Sequence, residues 1–184
     1  INASASYTNQ GIGSEIVMFG HNRLNGANIS TGWSKDLRIG FGTNFPYADI
    51  SITEGAKLTV GGNTYIGSAT EDQGATYTVF VTGAGSEFNG SGASGDLYLR
   101  ADGKLTIQNE ASASFTYFNG KGVLNVSNAT FESMNFNIAD SGKLNFSKGA
   151  KATLGSTTTA SYASGDISVG GDETELNLIG DIEY

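Results

Sequence analysis

The chain has 184 residues, 38% of them hydrophobic and 10% aromatic, with 27 glycines, one proline, no cysteine and a net charge of −8. That aromatic content excludes a disordered tail, and the absence of cysteine excludes a disulfide scaffold. So acidic a chain does not suit a phosphate backbone or an anionic lipid surface, and no apolar run reaches the length of a membrane-spanning helix; neither nucleic acid binding nor membrane insertion is expected of this segment.

Ile1 follows no Met, and Leu176-Asn177-Leu178 is still strand-like near the other end, so a piece of a longer protein is expected. The single histidine, His21 in MFGHNRLNG, is expected at a corner or on the surface. With no Cys and no Gly-x-Ser-x-Gly elbow, it has no partner for nucleophilic catalysis. Three segments then line up: STGWSKDLRIG from Ser30, VGGNTYIG from Val60 and SEFNGSGASGDLYLR from Ser86. In the first and third, Ser precedes an aromatic (Ser30 before Trp33, Ser86 before Phe88) and a polar stretch leads to a short strand. Ile39, Ile66 and Leu99 become equivalent, the second step longer than the first. Between them ISITEGAKLTV from Ile50, VFVTGAGSEF from Val79 and LTIQNEASASF from Leu105 each read strand, corner, strand. This makes Ile52, Val81 and Ile107 equivalent, again at unequal steps. Pro46 falls in a spacer, where it removes no sheet hydrogen bond.

A Gly-x-Leu-x-apolar unit follows at Gly103–Ile107, Gly122–Val126 and Gly142–Phe146. Its leucines, Leu105, Leu124 and Leu144, fall at nearly equal steps, shorter than those of the earlier registers, and Lys57-Leu58-Thr59-Val60 is a variant. Apolar residues alternate with polar ones at Leu97/Leu99, Leu105/Ile107, Leu124/Val126, Phe136/Ile138, Leu144/Phe146, Ile167/Val169 and Leu176/Leu178. Single short hairpins of this pattern are marginal in water, whereas stacked coils bury each other's apolar face and tolerate a variable period. The expectation is an all-β parallel β-helix (β-solenoid) of about five or six coils filling residues 1–184 as one segment. Asn25-Gly26, Asn89-Gly90 and Asn119-Gly120 are corner candidates, and Ser161 to Thr174 (161–174), apart from Ile167 to Val169, reads as an irregular loop or cap. An antiparallel β-sandwich, with the same residues in hairpin turns, is the alternative fold.

The stretch VTGAGSEFNGSGASGDLYLRADGKLTIQNEASASF, from Val81 to Phe115, resembles the repeats in passenger regions of bacterial autotransporters of the AIDA-like type. Those repeats run Val-Thr-Gly-x-Gly-Ser-x-Trp, a Leu-x-Val/Ile-Gly strand, then Gly-x-Leu-x-Ile/Val and a Gly or Ala corner. The match is partial from Ser30 to Gly67, and beyond Gly120 only the Gly-x-Leu-x-apolar cadence remains. Phe88 replaces the Trp and Arg100 replaces the Gly after the strand. The resemblance implies a right-handed parallel β-helix, export across both membranes and display at the cell surface, attached to the outer membrane through a C-terminal barrel outside this segment. It implies adhesion or self-association, with any enzymatic activity in an inserted domain for which this segment has no room. A two-partner exoprotein or a surface-layer protein would share the fold and use another exporter.

No catalytic residue, metal or cofactor is expected. One His and no thiolate do not make a zinc site, and the acidic stretches GGDETE (Gly170–Glu175) and TEDQG (Thr70–Gly74) match no calcium-loop pattern. A sugar-cleaving pair needs two carboxylates about 5–10 Å apart, and Asp49, Asp96 and Asp102 share no register. The candidate binding residues are Glu71 and Asp72 in the acidic spacer, and Tyr65 and Tyr98, whose parity with inward neighbours turns them outward. Tyr77 shares parity with Val79 and Val81, and Phe88, Phe131 and Phe136 are expected in the core. Candidate partners are a second copy of the rod, a host glycan or a matrix protein; a carbohydrate-cleaving β-helix is the rival reading.

Overall fold

Successive side chains of a strand point to opposite faces, so Leu105-Thr106-Ile107 can bury its apolar side only if another layer covers it. The computed structural model describes residues 6–8, 15–18, 20–33, 35–40, 47–68, 75–91, 95–139, 141–158 and 160–183. A partial turn, β1 (Ser6–Thr8) and β2 (Glu15–Met18), leads into seven coils, one for each strand of a seven-stranded sheet. The first three coils are β3 (Gly20–Asn25), β4 (Asn28–Trp33) and β5 (Asp36–Ile39); β6 (Tyr47–Thr53), β7 (Lys57–Gly61) and β8 (Thr64–Ile66); and β9 (Thr76–Thr82), β10 (Glu87–Gly90) and β11 (Leu97–Leu99). Two coils of two strands each follow, β12 (Gly103–Gln108) with β13 (Ser112–Gly120), and β14 (Val123–Ser127) with β15 (Thr130–Ile138). The last two are β16 (Lys143–Ser147), β17 (Lys151–Gly155) and β18 (Ser161–Ala163), then β19 (Asp166–Gly170), β20 (Glu175–Ile179) and β21 (Ile182–Glu183).

Every pairing among the described strands is parallel. The fold is an all-β parallel β-helix, and the antiparallel sandwich is excluded. The first face is the sheet β3-β6-β9-β12-β14-β16-β19. The second face contains β4, β7, β10, the first halves of β13 and β15, β17 and β20. The third contains β5, β8, β11, the second halves of β13 and β15, β18 and β21.

The inward residues form columns. Leu24, Ile52, Val81, Ile107, Val126 and Phe146 succeed one another on the first face, all buried. On the third face Ile39, Ile66 and Leu99 are partners. Both long-range registers expected from the repeat are thus present, as is the Leu105–Leu124–Leu144 cadence. Phe88, Phe131 and Phe136 lie in the core, and Tyr77 joins them. The cadence glycines stand where one coil's corner rests on the next. A Cβ on Gly103 would lie 2.3 Å from the Ile66 carbonyl oxygen, and one on Gly142 would lie 2.4 Å from that of Gly120.

Four expectations are corrected. Among the described residues the coils number seven rather than five or six, because β13 and β15 pass from second to third face without a corner loop, which shortens the chain needed for a coil. Trp33 pairs with Gly61, whereas Phe88 pairs with Leu58 and Leu58 with Ile29, so the two Ser-aromatic stretches are not equivalent. Leu58 also belongs to the second face, so Lys57–Val60 is no copy of the Leu105 unit. Residues 161–174 are more regular than expected: besides the Ile167–Val169 stretch, now part of β19, they carry β18, and Gly165-Asp166-Ile167-Ser168-Val169 is a further copy of the cadence, paired with β16. Of the three Asn-Gly corner candidates, only Gly26 takes a positive φ, at 56°. Pro46 lies outside the described residues.

Among the buried inward hydroxyls of the described strands, that of Thr64 stands without a partner, unlike those of Ser133 and Ser161. Thr64 lies between Leu37 and Leu97, fully buried, and its hydroxyl has no hydrogen-bond partner. Thr64→Val keeps the shape and removes the unpaired group, so a gain of about 1 kcal/mol is expected in a denaturant titration. A loss of stability would show that the hydroxyl is satisfied.

Candidate functional site

Outward residues of the third face are aligned by the same register that buries their neighbours. One outward column is Arg38, Tyr65, Tyr98, Asn119, Asn137 and Tyr162. Two residues earlier on each strand run Asp36, Asn63, Asp96, Tyr117 and Asn135. The Tyr65 and Tyr98 rings stack at 4.9 Å between centroids and 13° between planes, and Tyr98 meets Tyr117 edge-on at 6.3 Å. The Arg38 guanidinium lies 4.3 Å from the Tyr65 centroid, and that of Arg100 lies 5.7 Å from it. Arg38 is also held by Glu15 at 2.8 Å. Asn63 donates its amide to the Tyr65 hydroxyl at 3.2 Å, and Asn119 donates to that of Tyr117 at 3.5 Å.

The structure brings Tyr65 and Tyr98 together, but in a form that changes what they can do. With Arg38 below Tyr65 and Tyr98 above it, both faces of the Tyr65 ring are occupied. A sugar cannot lie flat on it. The surface offers ring edges, hydroxyls and amides instead, repeating at the strand spacing of about 4.8 Å. Glu71 and Asp72 lie outside the described residues.

Asp96 sits partly buried beside this ladder, and burial raises its pKa above the ordinary 3.8, opposed by the hydrogen bond from the Tyr98 hydroxyl. Burial also raises the Tyr98 pKa, helped by the Asp96 charge. A carboxyl with a raised folded-state pKa binds protons more readily in the native than in the unfolded chain. Its charge therefore opposes folding at neutral pH, and this opposition fades as pH falls through the raised value toward 3.8. Asp96→Asn should remove that contribution. Thermal melts at neutral and mildly acidic pH should show a smaller acid-side gain (or larger acid-side loss) in the variant; identical pH profiles would contradict it.

His21 is on strand β3 rather than at a corner, exposed and paired through Nδ1 with Asp49, with the Tyr47 ring at 5.3 Å. Asp49 thus belongs to the first face and Asp96 to the third, while Asp102 accepts the Ser68 amide at 3.1 Å near a corner. No two of the three share a column. Among the described residues no group of three or more His, Asp or Glu is placed to hold a metal ion, and no helix is long and apolar enough to cross a membrane. Arg38, Arg100, Tyr117, Asn119 and Lys121 join the site without being marked as binding residues by the sequence, which offered Asn119 only as a corner and Arg100 only as a departure from the repeat. The available signal was parity: Arg100 follows Tyr98 by two positions, and Lys121 follows Asn119 by two. No protein-family model, curated protein or solved structure matches the chain.

Proposed function

We propose that this chain is a non-catalytic, surface-displayed β-helical passenger segment of the adhesin type, acting in adhesion and in association between like rods. The observation that carries the reading is the register, which repeats the outward polar residues coil after coil. Thr106, Asn125 and Asn145 form one such row on the first face, with Asn145 donating to the Asn125 amide oxygen at 2.9 Å. Many weak contacts along a rod add up when a partner runs parallel to it. The likeness of Val81–Phe115 to autotransporter repeats supports export and display, and the reading frame downstream should then encode a membrane barrel. Sedimentation velocity over rising concentration, together with settling of non-aggregating bacteria that display the segment, tests the reading. Growth in mass and cell clumping are expected. A rod that stays monomeric on cells that stay dispersed would refute it.

A carbohydrate-binding role is favoured by one specific observation, the tyrosine, asparagine and arginine grouping on the third face. Cleavage is disfavoured, because its carboxylates do not face each other across a common column.

A further inference from the structure

Where β11 and β13 leave the third face, four polar side chains gather around one hollow. Tyr98 pairs with Asn119 across the coils, and Arg100 and Lys121 follow each of them by two positions. Tyr98 and Asn119 stand about 4.8 Å apart between coils, and Arg100 and Lys121 lie just past the ends of their strands. These residues, with Leu99, line a hollow of about 230 Å³. The hollow is electrically polarised. Along the chain through β11 the order is Asp96, Tyr98, Arg100, from carboxyl through hydroxyl to guanidinium; through the end of β13 it is Tyr117, Asn119, Lys121. The nearest acid in sequence after Arg100 is Asp102, whose oxygens accept the Ser68 amide at 3.1 and 3.2 Å. Among the described residues neither Arg100 nor Lys121 has an ion-pair partner, whereas Arg38 and Lys57 do. Arg100 is steadied over the Tyr65 ring.

We infer that this hollow binds a carboxylate-bearing sugar residue of an acidic polysaccharide. Arg100 and Lys121 take the carboxylate: a guanidinium matches its two oxygens as a fork, and an ammonium adds a point charge. Asn119 and the Tyr98 hydroxyl are placed for the ring hydroxyls. Asp96, at the opposite end, accepts a sugar hydroxyl and repels a reversed ligand. Such a site fits an acidic chain, because its cations concentrate at one corner what the net charge of −8 repels elsewhere. This inference deepens the adhesive reading by giving the rod a ligand class.

The test is titration calorimetry with five probes: a galacturonic acid tetrasaccharide, sialyllactose, the uncharged counterpart of each, and a sulfated oligosaccharide. Binding of at least one acidic probe, without its uncharged counterpart, is expected and should weaken with salt. Arg100→Ala and Lys121→Ala should each weaken it roughly tenfold or more, with the thermal melt of Lys121→Ala unchanged because that side chain is exposed. Binding to neither acidic probe, equal binding of the uncharged counterparts, or unaltered affinity in the double variant would overturn the inference. So would equal affinity for a sulfated oligosaccharide, which would mean attraction to any polyanion. Sedimentation of the same double variant separates the two readings: rods that still associate while losing the sugar leave the adhesive reading standing.

Discussion

Leu105→Ala is expected to lower the unfolding free energy by about 2–5 kcal/mol. Leu105 is fully buried between Val79 of the coil before and Leu124 of the coil after. Its neighbours cannot close over a missing side chain, because each coil is held in place by the parallel ladder on both sides. The cavity therefore stays, and its cost adds to the lost transfer free energy. In a solenoid each coil touches only those next to it, so a defect at Leu105 also loosens the coupling between the two ends of the rod. Chemical denaturation should show an earlier midpoint and a shallower slope as the halves begin to unfold separately. A variant as stable as the parent would sink the stacked register.

Gly122→Val should be similarly damaging for the opposite reason. A Cβ there would lie 2.2 Å from the Arg100 carbonyl oxygen and 2.3 Å from that of Gly103. Neither atom can yield like a side-chain end, since both belong to the backbone of the coil beneath. The Gly122 amide donates to the Leu99 oxygen at 3.1 Å, and its own oxygen accepts from the Lys143 amide at 2.9 Å. Overpacking of this kind costs about 1–3 kcal/mol or more, and these corner hydrogen bonds would lengthen with it. Gly170→Ala is the control, because nothing lies within 4 Å of its added Cβ; a change within about 0.5 kcal/mol is expected. Equal effects of the two substitutions would remove the tight-corner explanation of the cadence.

The inward half of the molecule was readable because strand geometry has a period of two whatever the coil length. Leu97 and Leu99, or Leu144 and Phe146, declare their common face without reference to any other strand. The misreading of Trp33 against Phe88 has the same origin: two stretches with like residues lay on different sides of a corner, and corners have no fixed length. Residues 161–174 looked irregular because the step from Leu144 to Ile167 is longer than the step from Leu124 to Leu144, and the cadence leucine became isoleucine. The last coil is also less covered, with Val169 47% and Leu178 38% exposed.

What the amino-acid order determined alone is which side chains of each strand face inward; the pairings then chose parallel stacking over the antiparallel alternative. What only the tertiary structure decided is which outward residues become neighbours. Tyr65 and Tyr98 lie farther apart along the chain than Asn119 and Tyr98 do, yet Tyr98 stands one coil from each. The physical reason is that burial constrains the inward columns through the alternation itself. The outward columns inherit their alignment from corners whose lengths vary freely, and only the completed hydrogen-bond ladder sets those residues side by side.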